Sequence, residues 1–312
     1  MSQKLRYAYY PGCSGQGTSK EYEQSTRAVC EALNMELVDI PDWSCCGSSP
    51  AHTVDHRLSS ALSGRNLALA ERLEGVSAIL TPCPSCLTNL KMSAHKMKDP
   101  EFAAEVNALL DFPVRNTLPV KSILQAIYED VGPDALRPKV VKRLTGLKLA
   151  PYYGCIMNRP PHIMEFDDHE NPIAMDRLME AIGAEPVTFP LKVECCGASY
   201  GVARRDIVQK LSGKLLDTAA ANGADAVVTA CPLCQMNLDL RQDQINAANN
   251  TSHNMPVFYY TQLIGLALGM TPSQVGLEKL EVSPTALLES LPARAEAQAQ
   301  AAKKPASKGA QS

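Results

Sequence analysis

Lys192-Val193-Glu194-Cys195-Cys196-Gly197 repeats the pattern of an earlier stretch, Asp42-Trp43-Ser44-Cys45-Cys46-Gly47. Each vicinal cysteine pair lies between a lone upstream cysteine and a downstream Cys-x-x-Cys. The first set is Cys13, Cys45, Cys46, Cys83 and Cys86; the second is Cys155, Cys195, Cys196, Cys231 and Cys234. Ten of the eleven cysteines belong to this scheme, and only Cys30 stands outside it. A five-point pattern that occurs twice points to an internal duplication.

The segments around the cysteines repeat too. Tyr152-Tyr153-Gly154-Cys155 echoes Tyr9-Tyr10-Pro11-Gly12-Cys13, and the run from Thr229 to Leu238 echoes Thr81 to Leu90, including the Asn-Leu pair. The period is too long for a solenoid. Within the first copy, Leu5 to Tyr10, Glu36 to Ile40 and Val76 to Thr81 read as strands, each ending in a turn that carries cysteines. Ser19 to Leu33 and Leu58 to Leu73 have helical apolar spacing, and a third helix follows Cys86. This is β-turn-α three times over, with the cysteines at strand C-terminal ends, where open parallel sheets build their sites. The expected fold is α/β: two duplicated Rossmann-like domains with small parallel sheets. Residues 1–146 form an N-terminal domain that includes a helical connector over 98–146, and residues 147–284 form the C-terminal domain. After about Thr285 the chain becomes Ala, Gln, Lys and Ser without an apolar period. Residues 285–312 are therefore expected to be a disordered tail, weakly helical at most.

Composition narrows the class. The chain has 312 residues, 45% of them apolar and 20% charged, which suffices for two packed domains. A net charge of −3 gives no basic surface for nucleic acid. The N-terminus, MSQKLRYAYYPGC, lacks a signal-peptide core, and no apolar run approaches the roughly 18 residues that span a bilayer. A cytoplasmic location is expected, where thiols stay reduced and clustered cysteines bind metal rather than each other.

Thiolates select zinc, copper(I) or iron–sulfur clusters. Structural zinc wants four ligands, usually from two knuckles, and an ordinary cubane also takes four thiolates. Each half offers five, from one Cys-x-x-Cys, one adjacent pair and one single residue. The surplus thiolate favours an iron–sulfur site that is not a plain cube, or a cube with a reactive sulfur beside it, over zinc and over disulfides. Gly12, Gly47, Gly154 and Gly197 let the backbone approach a cluster, while Pro82, Pro84 and Pro232 stiffen the loops.

The two Cys…Cys-Cys-Gly…Cys-Pro-x-Cys repeats resemble the cysteine-rich CCG domains of the heterodisulfide reductase B subunit, over about residues 5–270. The stretch Gly154-Cys155…Arg159-Pro160-Pro161…Phe166-Asp167-Asp168…Asn171-Pro172 resembles that family's linker. The resemblance implies two noncubane [4Fe-4S] clusters, each held by five cysteines. The ligands would be Cys13, Cys45, Cys46, Cys83 and Cys86, and Cys155, Cys195, Cys196, Cys231 and Cys234. A disulfide substrate would be clamped between the clusters, beside Cys45, Cys46, Cys195 and Cys196, and cleaved by one electron from each. The resemblance also implies two partners, the family's ferredoxin-like iron–sulfur C subunit and its flavin-containing A subunit. No ferredoxin cysteine run is present in this chain to replace the former.

Other residues are weighed against plainer roles. His162 and His169, near Cys155, are expected at the surface rather than as proton donors, and His52 and His56 as helix-start residues. Lys192, Glu194 and Arg159 are read as solvated or structural before being read as substrate contacts. Cys30 is expected to be a buried packing thiol. Two other functions compete with the disulfide reductase. One is an electron-relay or anchoring component of a succinate, fumarate or hydroxy-acid dehydrogenase, with residues 259–269 as an interfacial helix. The other is a zinc-stabilised scaffold.

Overall fold

The computed structural model describes residues 5–48 and 51–303. Two four-stranded parallel sheets follow one another, each built from four strand–helix units. The first copy runs β1 (Leu5–Tyr9), α1 (Lys20–Ala32), β2 (Met35–Asp39), α2 (His56–Ala70), β3 (Ile79–Thr81), α3 (Pro84–Lys96), β4 (Val120–Ser122) and α4 (Ile123–Ala126). The second runs β5 (Lys148–Tyr152), α5 (Ala174–Ala181), β6 (Glu185–Pro186), α6 (Arg205–Ala221), β7 (Ala226–Thr229), α7 (Pro232–Leu238), β8 (Val257–Tyr259) and α8 (Tyr260–Ala267). A final helix, α9, spans Thr285–Lys303.

The strand orders are β2-β1-β3-β4 and β6-β5-β7-β8. The chain reverses its direction of travel between β1 and β3, and again between β5 and β7. Such switch points leave a crevice at the strand C-terminal ends. Cys13 and Cys83 leave the two strands that flank the first crevice, as Cys155 and Cys231 do at the second.

The strands expected from the sequence are present. Each sheet has in addition a fourth strand, at Val120 within the stretch read as connector and at Val257 in the second copy. The copies differ at one edge. β1 pairs with β2 over five residues, whereas β5 pairs with β6 only at Lys148 and Leu149. Pro151 in β5 and Pro186 in β6 each lack the N–H that a longer ladder needs.

The sheets are separate, but their helices are exchanged. α8, which follows the last strand of the second sheet, packs on α1 of the first copy. Reciprocally, α4 and the turn after it pack on α5 of the second copy. Period-two alternation on β7 supplies both faces of the second sheet: Ala226 and Val228 join the large shared core, and Val227 faces a smaller one. Every residue of α8 is buried, so Tyr260–Ala267, the helical part of the 259–269 stretch, is a core helix and offers no interfacial face. Among the described residues no helix is long and apolar enough to cross a membrane.

The expected disordered tail is overturned through Lys303. Leu291 is buried, Arg294 donates to the Gly146 carbonyl and pairs with Asp225 at 2.8 Å, and Gln298 donates to Glu185 at 2.7 Å. Three leucines, Leu287, Leu288 and Leu291, supply the apolar stripe that the alanine-rich composition conceals. Residues 304–312 of that tail lie outside the described residues.

Candidate metal centre

The same local devices position both sets of cysteines. Tyr10 and Tyr152 are fully buried, each three residues before the lone cysteine. The Tyr10 hydroxyl donates to the carbonyl of Ser44 at 2.7 Å, and that of Tyr152 to the carbonyl of Glu194 at 2.8 Å. Each thereby ties the first strand of its sheet to the residue just before the vicinal pair. From the opposite side, Ser63 Oγ donates to the Cys46 carbonyl at 2.8 Å and Ser212 Oγ to that of Cys196 at 2.9 Å. The vicinal pair turns at Gly47 and Gly197, whose φ angles of +76° and +93° suit glycine.

Cys83 and Cys231 occupy the cap positions of α3 and α7, with Pro84 and Pro232 at the first helical turn. Proline loses nothing there, because the N–H it lacks has no helical partner. One turn in, Cys86 and Cys234 face back toward the lone-cysteine loops. A Cβ at Gly12 would lie 2.9 Å from Cys86 Sγ, and one at Gly154 would lie 3.1 Å from Cys234 Sγ.

Sulfur meets sulfur in matching pairs: Cys46 and Cys86 at 3.5 Å, Cys196 and Cys234 at 3.6 Å. Backbone N–H groups also point at sulfur, from Gly47 to Cys45 at 3.4 Å and from Gly197 to Cys195 at 3.3 Å. Hydrogen bonds from neighbouring thiols favour several thiolates. Donation by Cys86 brings Cys46 down to about 7, Cys155 brings Cys195 to about 6, and Cys234 brings Cys196 to about 7. The donors Cys86, Cys155 and Cys234 are pushed upward in exchange. Metal ligands must be deprotonated, and this sharing leaves Cys46, Cys195 and Cys196 nearest the thiolate form while their donors hold the protons.

The burial pattern has a direction. Cys46, Cys83, Cys86, Cys196, Cys231 and Cys234 are buried. Cys13 and Cys45 are exposed, and Cys155 and Cys195 are partly so. In both copies the lone cysteine and the first of the vicinal pair form the open side. Among the described residues no three His, Cys, Asp or Glu side chains converge as ligands of a single ion would. Five soft sulfur donors per copy, with N–H groups aimed at sulfur, fit an iron–sulfur cluster by their chemistry.

The two centres are tied across the boundary between copies. The Tyr22 hydroxyl of α1 donates to the Ala230 carbonyl, next to Cys231, at 3.1 Å. Thr88 of α3, two residues after Cys86, donates to the carbonyl of Ile156, next to Cys155, at 3.4 Å.

The other candidates take structural positions. Lys192 is buried, with Nζ donating to the Pro172 carbonyl at 2.9 Å and to Asp176 at 2.6 Å. Arg159 is committed to the linker, pairing with Glu170 at 2.8 Å and donating to the His169 carbonyl at 3.0 Å. Glu194 is exposed; its carbonyl serves Tyr152. His162 and His169 are exposed, His162 standing edge-on to His95. His56 opens α2, and His52 lies on the short helix Ala51–Val54. Cys30 is fully buried in α1, and burial pushes its thiol up to about 12. Sequence reasoning missed Tyr10 and Tyr152, Ser63 and Ser212, although each recurs at its own place in both copies.

The fold and its two matching sets of five cysteines define a duplicated cysteine-rich α/β protein. The family profile described as a cysteine-rich domain (CCG) matches residues 7–91 and 149–239, one match per copy. The chain belongs to this CCG cysteine-rich family. It is 33% identical over 284 residues to the 8-methylmenaquinol:fumarate reductase membrane anchor subunit of Wolinella succinogenes, covering 90% of this chain and 98% of that one. It is also 33% identical over 282 residues to the B subunit of the ferredoxin:CoB-CoM heterodisulfide reductase of Methanosarcina mazei, covering 88% and 93%. A solved structure, a hypothetical protein from Helicobacter pylori, shares the fold with a TM-score of 0.71 at 13% identity. That match covers 90% of this chain and 53% of the other, so this chain spans about half of that one.

Proposed function

We propose that this chain is the iron–sulfur catalytic subunit of a heterodisulfide-reductase-like complex. The observation that supports the reading is the match between the copies: each carries five cysteines in the same order, and matching tyrosine and serine contacts hold the vicinal pair of each. Cys13, Cys45, Cys46, Cys83 and Cys86 would hold one noncubane [4Fe-4S] cluster, and Cys155, Cys195, Cys196, Cys231 and Cys234 the other. Bound there, the clusters supply single-electron transfer and iron that accepts a sulfur ligand.

The residues of the chain do the rest. The buried thiols of each copy, and the hydrogen bonds behind them, keep water from the inner side of its centre. The open sides, at Cys13 and Cys45 and at Cys155 and Cys195, leave access for a disulfide. Cleavage of an S–S bond consumes two electrons and two protons and yields two thiols; two centres that each held a cluster would supply one electron apiece. The electrons would come from partner proteins in the cytoplasm, one ferredoxin-like with iron–sulfur clusters of its own and one containing flavin.

A second reading has its own support. The Wolinella relative, as similar in identity as the Methanosarcina one, is named as the membrane anchor of a fumarate reductase. On that reading the chain relays electrons and carries no disulfide chemistry. The test is anaerobic isolation of the native complex, with iron and acid-labile sulfide measured, its subunits identified, and turnover assayed with disulfide and with fumarate. About eight irons per chain, the content of two four-iron clusters, with disulfide-dependent turnover supports the first reading. Fumarate-dependent turnover alone would favour the second, and zinc without sulfide would end both.

A further inference from the structure

The two centres differ at the second cysteine of the vicinal pair. In both copies that sulfur receives a backbone N–H, from Ser48 to Cys46 and from Ala198 to Cys196. Each also meets a side chain, the Tyr10 hydroxyl at Cys46 and an amide at Cys196. Asn237 Nδ2 lies 3.5 Å from Cys196 Sγ and 3.2 Å from the Ala198 carbonyl.

The orientation of this amide is fixed by its neighbours. Arg241 Nε donates to Asn237 Oδ1 at 3.1 Å, and a guanidinium has no acceptor to offer. The Ala198 carbonyl has no donor, so the NH₂ end must face it and the sulfur. Arg241 in turn lies against Gly201, where a Cβ would come within 2.7 Å of the guanidinium. Asn89 occupies the matching place in the first copy, but its Nδ2 donates to the Cys46 carbonyl at 3.0 Å. Ser93 stands where the second copy has Arg241.

On the reading that the ten cysteines hold two iron–sulfur clusters, we propose that Asn237, positioned by Arg241, tunes the reduction potential of the C-terminal cluster through a contact to sulfur that Asn89 does not make in the first copy. Reduction adds negative charge that spreads onto the thiolate sulfurs. An N–H donor stabilises the reduced form more than the oxidised one, and hydrogen bonds to sulfur raise cluster potentials. The Arg241 charge acts in the same direction. Lower exposure of Cys155 and Cys195 acts against it, so the proposal concerns what Asn237 adds to its own cluster and not which cluster lies higher. Distinct potentials would let the two electrons that cleave one disulfide be delivered from distinguishable centres.

The experiment is a redox titration followed by electron paramagnetic resonance on the anaerobic full-length protein, with iron and sulfide measured on every sample. Signals are assigned to the C-terminal cluster by their survival in Cys45→Ser. Asn237→Ala is expected to move the C-terminal midpoint to a more negative value, and Asn237→Asp, which adds charge, further still. Arg241→Gln, which keeps the amide but frees its orientation, should give a smaller shift in the same direction. None of these variants should move the N-terminal midpoint, and Asn89→Ala should move neither cluster. An unchanged C-terminal midpoint in Asn237→Ala at full iron content would overturn the proposal, as would equal shifts in both clusters. Should Asn237→Ala lose its iron, Arg241→Gln decides the matter: an unchanged midpoint there overturns the proposal. Wild-type protein without two clusters' worth of iron and sulfide would instead refute the underlying functional reading.

Discussion

Tyr22 of α1 and Tyr259 at the end of β8 stack face to face across the boundary between copies, ring centroids 4.0 Å apart and planes 3° from parallel. The same Tyr22 donates its hydroxyl to the carbonyl beside Cys231, so one side chain joins the packing of the two copies to a ligand loop of the second. Beside it, Ser25 and Thr261 bond at 2.8 Å, a second buried polar link between α1 and α8. The exchange of helices therefore does more than bury apolar surface. It fixes where the second centre stands relative to the first copy.

Tyr22→Ala should thus be costly. A large buried aromatic replaced by alanine loses roughly 3–5 kcal/mol, read as a lower urea midpoint of the anaerobic protein. Tyr22→Phe keeps the stack and leaves the buried Ala230 carbonyl unpaired, at about 1 kcal/mol. If Tyr22→Phe proved as damaging as Tyr22→Ala, the stack would not be the main contribution of this residue.

Cysteine variants should separate the copies. Cys195→Ser or Cys196→Ser should lower iron from about eight to about four per chain, the loss of one four-iron cluster, and abolish disulfide turnover. Cys45→Ser should mirror this from the other side. Cys30→Ser should keep full iron, and Cys30 itself, buried with a raised thiol pKa, should resist alkylation until the chain unfolds. Full turnover by Cys45→Ser would refute the use of both centres.

Truncation after Leu291 removes the Arg294–Asp225 and Gln298–Glu185 contacts, both partly exposed. Such contacts contribute about 0–1 kcal/mol each, so a small loss of urea stability and no loss of iron is expected. Truncation after Pro284 also removes buried Leu291 and its neighbours, and should cost clearly more. Equal stability of the two truncated proteins would show that α9 does not dock through its leucines.

The sequence makes the duplication and the parallel α/β class legible, because glycine turns and paired cysteines are local signals. Pairing of β4 and β8 is not legible, since a three-residue strand such as Val120–Ser122 carries no period of its own. The docking of α9 is hidden because three leucines in an alanine-rich run leave a weak stripe, and the partners Gly146, Asp225 and Glu185 are distant in sequence. The role of Asn237 is visible only as half of a repeated Asn-Leu pair. What separates it from Asn89 is Arg241, four residues on, which the repeat does not share.

Gly12 and Gly154 offer the sharpest test of how tightly the chain wraps its centres. Their φ angles of +68° and +78° lie in the left-handed region, where a non-glycine residue costs roughly 1–2 kcal/mol. Space is the second obstacle. A methyl group at Gly12 would meet Cys86 Sγ at 2.9 Å, closer than any real contact tolerates, and the sulfur cannot swing away without leaving its place. At Gly154 the corresponding distance to Cys234 Sγ is 3.1 Å, tight but open to a shift of a few tenths of an ångström. Gly12→Ala should therefore displace Cys86 and cost the N-terminal centre most of its iron, while the C-terminal signal survives. Gly154→Ala should retain more of its iron, with an altered paramagnetic spectrum from the C-terminal centre. Metal analysis and electron paramagnetic resonance on both variants check this order, and full iron with an unchanged spectrum in Gly12→Ala would show that Cys86 does not need the place it occupies.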